Sequence, residues 1–241
     1  MYSVAVFKLK FYMYCKDCLC NIILNVNIIT GLLTDRAGFL IFMGNVRYLG
    51  FFAVLSLAVI LFAAETSAQE AQGFQNAKSQ WTLLGGYGVT HPGLGDTRTR
   101  VETADLILQY GYFLSPEAGK SWYRGRHEML VEVPFYMVMH PETAIITGLN
   151  FLACWNFTAS KKIIPYISAG GGPVYTNLNV PELGSQFNGN YQAGTGFHYL
   201  ISKSVTIDFN YRIHHISNAN TADPNSPLNS SKILFGISFL Q

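Results

Sequence analysis

Residues 205–217 read Val-Thr-Ile-Asp-Phe-Asn-Tyr-Arg-Ile-His-His-Ile-Ser, and their alternation leaves few options for the fold. Val205, Ile207, Phe209, Tyr211 and Ile213 are apolar, while Thr206, Asp208, Asn210, Arg212 and His214 are polar or charged. A period of two over this length makes a β-strand with one greasy face and one wet face. The greasy register then carries His215 and Ser217, so an imidazole and a hydroxyl emerge side by side among apolar neighbours. Polar groups belong there if that face meets lipid and the chemistry is done on lipid.

The upstream sequence supports export. From Met43 a short basic start leads into an apolar run, Leu49 to Ala64, and then into small residues at Thr66 and Ala68. This is the pattern of a secretory signal peptide over residues 43–68, cleaved after Ala68. A membrane-anchoring helix is the alternative, but the run is short for a span of about 20 residues. Residues 1–42 precede a complete signal, and a start codon assigned too early, with Met43 the true one, is the simplest account. Cys15, Cys18 and Cys20 lie in that upstream part, whereas Cys154 is the single cysteine beyond the cleavage point. The exported chain therefore has no internal disulfide.

The remaining part, roughly 170 residues, is one domain by size. Its low, nearly balanced charge offers no basic patch for nucleic acid. No apolar run after residue 69 is long enough for a spanning helix, so membrane entry requires strands closed into a barrel. After a polar lead (69–80), eight strand-like segments follow: 81–89, 104–114, 127–139, 144–157, 163–175, 187–199, 205–217 and 231–239. Segments of this length match an eight-stranded antiparallel up-and-down transmembrane β-barrel. Connections 140–143, 177–186 and 218–230 fall at one end, outside the cell if the N-terminus is periplasmic; 158–162 and 201–204 fall at the other. The connection 116–125 is long for a periplasmic turn. Gly170-Gly171-Gly172 has no P-loop context and reads as close packing or a bend. A soluble lipocalin-like barrel would reverse the faces, apolar inside and polar outside. Aromatic residues near strand ends (Tyr110, Tyr112, Trp155, Phe157, Tyr199) favour the membrane.

Two residues apart on one strand, His215 and Ser217 point the same way, about 7 Å apart at Cα. That spacing allows a hydrogen bond from hydroxyl to imidazole, and a serine needs such a base to act as a nucleophile. Asn218 and nearby backbone N–H groups are candidates to hold an oxyanion. By spacing alone His-x-Ser is a weak signal. His214 takes the opposite parity and points into the barrel with Arg212 and Asp208, where a structural polar network is expected; His198 belongs with it. His91, His127 and His140 are scattered and have no metal-ligand spacing, so neither metal nor cofactor is expected.

His215-Ile216-Ser217-Asn218-Ala219, then Pro224-Asn225 and Asn229, then Phe235-Gly236-x-x-Phe239, resembles the C-terminal signature of the PagL-type lipid A 3-O-deacylases, the acyloxyacyl hydrolase-like family. The resemblance implies an eight-stranded outer-membrane barrel that hydrolyses an ester-linked 3-hydroxyacyl chain of lipid A. It implies His215 as base, Ser217 as nucleophile and Asn218 at the oxyanion hole. The family's third member is a glutamate, and here that position is Asn229; Asp223 is a second candidate for the role. An asparagine can orient an imidazole but cannot stabilise its cation by charge. The partners implied are lipopolysaccharide and the bacterial outer membrane, with a homodimer left open. The competing readings are a non-catalytic structural or adhesion barrel and a soluble lipocalin-like binder.

Overall fold

The computed structural model describes residues 4–11, 24–31 and 73–241. The chain divides into two compact units, Met1–Ile60 and Leu61–Gln241. In the first, β1 (Val4–Phe11) and β2 (Leu24–Gly31) pair antiparallel, Val4 opposite Gly31 and Phe11 opposite Leu24. Cys15, Cys18, Cys20 and the expected signal peptide (43–68) lie outside the described residues.

The second unit is built from β3 (Ser79–Thr90), β4 (Glu102–Phe113), β5 (Gly125–His140), β6 (Ala144–Gly148), β7 (Asn150–Phe157), β8 (Ile163–Thr176), β9 (Phe187–Leu200), β10 (Val205–Ser217) and β11 (Leu228–Leu240). β6 and β7 are two halves of one strand, broken only at Leu149, whose N–H still donates to Pro173 O on β8 (3.1 Å). The nine segments therefore make eight strands. Each pairs antiparallel with its sequence neighbour, and the last closes on the first: Ile233 of β11 lies opposite Tyr87 of β3. Closure leaves no open edge, which is what a lipid environment demands of a sheet. Among the described residues no helix is long and apolar enough to cross a membrane.

Burial settles which face is which. On β10, Ile207 and Ile213 stand 48% and 58% exposed, while Thr206, Asp208, Asn210, Arg212 and His214 are buried. The same inversion recurs on β8 and β9, where Ile167, Phe187 and Tyr191 point out and Asn190, Gln192 and His198 point in. This is the reverse of a soluble cup, and it excludes the lipocalin-like arrangement. An eight-stranded barrel has a lumen just wide enough to be filled by its own side chains. Charges sealed in such a space need partners. Arg212 pairs with Glu132 (2.9 Å), Lys232 with Asp105 (2.7 Å), and His198 with Asp208. His198 thus joins the expected inner network, whereas the buried His214 ring lies edge-on to Tyr136 (centroids 5.7 Å apart).

The inner end is closed by the start of the described unit. Phe74 and Ala77 are buried there with Phe113, Ile164 and Leu240. Arg126 donates to the carbonyls of Phe74 (2.8 Å) and Ala77 (2.9 Å). The lead expected to be merely polar is therefore a plug. The long inner connection between β4 and β5 holds a 3₁₀ turn, Ser121–Tyr123, and an Ala118–Gly125 bridge that gives it its own order. The glycine run in β8 packs against its neighbours' main chain: a Cβ on Gly171 would stand 2.0 Å from Asn190 O.

One boundary differs from expectation in a way that matters. The last strand starts at Leu228, not at 231, because Asn229 and Ser230 continue the ladder opposite His215 and His214. Two polar residues hid that start from a reading based on apolar alternation.

Candidate active site

His215 and Ser217 stand at the outer end of β10, facing outward and partly exposed. The strand's period of two puts both on one side, and the ladder supplies the rest. His215 pairs across to Asn229 on β11 and to Tyr191 on β9. Ser217 pairs with Gly189, so no side chain stands across the ladder from its hydroxyl.

The three polar groups form one chain of hydrogen bonds. Nδ1 of His215 lies 2.7 Å from Asn229 Oδ1, and its Nε2 lies 3.1 Å from Ser217 Oγ. Asn229 Nδ2 donates elsewhere, to Leu94 O (3.0 Å) and Thr97 Oγ1 (3.1 Å), so the amide oxygen is the end turned to the ring. An acceptor at Nδ1 places the proton there. Nε2 is then left with a lone pair aimed at the serine hydroxyl, the arrangement a general base needs. Tyr191 stacks on the imidazole with centroids 4.1 Å apart and ring planes 17° apart. It fixes the ring plane and offers a π-face to any positive charge that develops there.

Asn218 has the opposite parity and is buried. Its Nδ2 donates to Ala222 O (2.8 Å) and Pro224 O (3.1 Å), and its N–H donates to Asn225 Oδ1 (2.8 Å). Both of its donors are therefore committed to shaping the 218–227 loop. The following residues, Ala219 and Asn220, have positive φ (54° and 62°). Asp223 is exposed, and the ring nitrogen it was a candidate to meet is taken by Asn229. His91, on the outer loop, shares Ser231 Oγ (2.8 Å) with Tyr211.

A groove of about 540 Å³ opens on the outer wall beside this chain of bonds, bounded by Tyr191, His215, Asn229 and Leu94. Its floor follows a cross-strand row in which Ala169 lies opposite Ala193 and Ala193 opposite Ile213. The small residues leave a trough between bulkier rows, and its surface is apolar. Among the described residues no cluster of three His, Cys, Asp or Glu is arranged to hold a metal.

Sequence reasoning brought His215, Ser217 and Asn229 into view and missed Tyr191, Thr97 and Leu94. Tyr191 shares the outward parity of β9, but only the register between β9 and β10 puts it on the imidazole. Thr97 lies in a loop with no periodic signal at all.

A family model for lipid A 3-O-deacylase (PagL) matches residues 104–238, more than half of the chain and inclusive of all three bonded residues. No curated protein matches the chain. Among solved structures, the Neisserial surface protein A (NspA) aligns with a TM-score of 0.51 at 14% identity, covering 68% of this chain and 97% of that one. The outer-membrane enzyme PagL aligns with a TM-score of 0.48 at 17% identity, covering 65% and 97%. Ail of Yersinia pestis aligns at 0.42 and 11% identity, covering 68% and 99%.

Proposed function

The chain belongs to the PagL family of lipid A 3-O-deacylases, enzymes of the bacterial outer membrane, and on that premise we propose that it works as a serine esterase through Ser217, His215 and Asn229. The observation that carries this reading is the pair of bonds on one imidazole, to Asn229 Oδ1 and to Ser217 Oγ, on the lipid-facing wall.

In this mechanism the 3-hydroxyacyl chain of lipid A lies along the apolar groove, with its ester carbonyl over Ser217 beside the open position at Gly189. Oγ attacks the carbonyl carbon as Nε2 of His215 takes the hydroxyl proton. The tetrahedral intermediate collapses with cleavage of the bond to the sugar oxygen. That oxygen leaves with the proton from Nε2, and the acyl group stays on Ser217. Water then attacks the acyl-enzyme, gives its proton to Nε2, and releases the hydroxy acid while the serine regains its hydrogen. Ester and water become alcohol and acid.

Asn229 holds the ring in the working tautomer, and the Tyr191 face steadies the transient imidazolium in place of a carboxylate charge. For the oxyanion, the N–H groups of Ala219 and Asn220, in the turn that follows Ser217, are the backbone candidates, since that of Asn218 is taken by Asn225 Oδ1. Asn218 contributes by fixing that turn through its bonds to Ala222 and Pro224.

The test is the mass of lipid A from membranes carrying the wild type, Ser217→Ala or His215→Asn. Wild type removes one hydroxyacyl chain and both variants leave lipid A intact. Removal by Ser217→Ala would end the proposal. No removal by the wild type from any acylated lipid A would favour an inert barrel.

A further inference from the structure

We infer that the outer loop between β3 and β4 contains a positioning residue for this chemistry, Thr97, which sets the working orientation of Asn229. The inference rests on the proposed role of Asn229 beside His215.

An asparagine is a two-faced partner for an imidazole. Presenting its oxygen, it fixes the proton on Nδ1 and leaves Nε2 basic. Presenting its NH₂, it forces the opposite tautomer, a fault that costs serine proteases about 10⁴ in kcat when asparagine replaces the buried aspartate. A carboxylate has no such ambiguity. A chain with asparagine at this position therefore needs something to choose the amide's orientation, and the 91–97 segment supplies it.

Apart from Oδ1, every polar group of Asn229 is bound to that segment. Its N–H donates to Thr97 Oγ1 (2.9 Å), its C=O accepts from His91 N–H (2.9 Å), and its Nδ2 donates to Leu94 O and Thr97 Oγ1. Thr97 is itself buried, and its hydroxyl donates to Pro227 O (2.8 Å). With its one hydrogen committed there, Oγ1 faces Asn229 as an acceptor only. Turning the amide over would set its oxygen against two acceptors, Leu94 O and Thr97 Oγ1, and leave Nδ2–H against the Nδ1–H of His215. The loop is shaped for this approach: Gly95, at φ +58°, passes close enough that a Cβ would stand 3.3 Å from Asn229 Nδ2. Glu182 ties down the other side of the loop, accepting from Arg98 N–H (3.0 Å) and from the Thr99 hydroxyl (2.9 Å).

The test uses the full-length protein in detergent micelles with purified lipopolysaccharide as substrate. Wild type, Thr97→Ser, Thr97→Val, Thr97→Ala, Ser217→Ala and His215→Asn are compared, each confirmed as folded by its mobility before and after heating. Thr97→Val and Thr97→Ala lower kcat by about tenfold or more with KM within about threefold, because the amide loses its chosen orientation but the groove is untouched. Thr97→Ser, which keeps the acceptor, stays within about threefold of wild type. The ¹⁵N signals of His215, identified by their loss in His215→Asn, report Nδ1–H in wild type and Thr97→Ser and a tautomer mixture in Thr97→Val. If valine prevents folding, alanine carries the same expectation without the bulk. Wild-type kcat and an unchanged tautomer in the valine or alanine variant, with Ser217→Ala inactive, would overturn this inference and leave the serine mechanism standing. Activity in Ser217→Ala would overturn the mechanism instead, and the tautomer spectra would still decide whether Thr97 orients the amide.

Discussion

Replacing Asn229 with leucine, close to it in size, removes the acceptor at Nδ1 of His215 together with the Nδ2 bonds to Leu94 O and Thr97 Oγ1. At the imidazole of the resting enzyme the loss is one neutral hydrogen bond of 2.7 Å, with a net value of about 1 kcal/mol. In the proposed mechanism the ring becomes a cation as Ser217 gives up its proton, and a bond to a charged partner is roughly twice as strong. The transition state thus loses about 2 kcal/mol, and up to about 3 kcal/mol once freedom of ring and tautomer is added. At 1.36 kcal/mol per decade this is roughly a 30- to 150-fold fall in kcat. KM should hold within about threefold, since the groove floor of Ala169 and Ala193 is unchanged. The assay is the initial rate of hydroxy-acid release from lipopolysaccharide micelles, measured on protein whose heat-shifted mobility shows an intact barrel. A fall of less than about threefold would refute the reasoning, because the imidazole would then be oriented by something other than Asn229.

Four further outcomes follow from the same geometry. Asn229→Asp does not exceed the wild-type kcat, since its second oxygen would face Leu94 O and Thr97 Oγ1; a tenfold gain would mark the amide as a defect of the site. Tyr191→Leu lowers kcat about 3- to 30-fold through loss of the stacked face, and a rate equal to wild type would dismiss that contact. Ala193→Trp fills the trough and raises KM for long-chain substrates while a short soluble ester is cleaved as before; equal KM values for lipid A would place the acyl chain elsewhere. Arg212→Ala strands Glu132 in the lumen and costs about 3–5 kcal/mol, read as a lower urea midpoint, and an unchanged midpoint would show the pair to be dispensable.

The barrel was legible because its signal is local. Alternation on a strand needs no partner to be read, and β10 shows it over ten consecutive residues, Val205 to His214. His215 and Ser217 were legible for the same reason, their spacing being a property of one strand. Asn229 came into view by resemblance, yet its place on β11 was not legible. The strand seemed to begin at Ser231, and only the register with β10 shows Asn229 lying opposite His215. Pairing between strands carries no local mark, which is also why Tyr191 was missed and why the lumen pairs Arg212–Glu132 and Lys232–Asp105 were not foreseen. Thr97 is the extreme case. It acts from 132 residues away in sequence, within a turn where no periodicity survives. Asn218 differs again: its adjacency to Ser217 suggested a shared site, and the pleat turns its side chain to the opposite face, where Nδ2 braces its own loop.

The account stands or falls on which atom attacks the ester. The direct measurement is to treat the folded enzyme with a serine-directed phosphonate carrying a long acyl chain and map the modified peptide by mass spectrometry. The account predicts modification at Ser217, lost in His215→Asn and blocked by prior addition of lipid A. An enzyme that deacylates lipid A yet is modified at another residue, or at none, would contradict it.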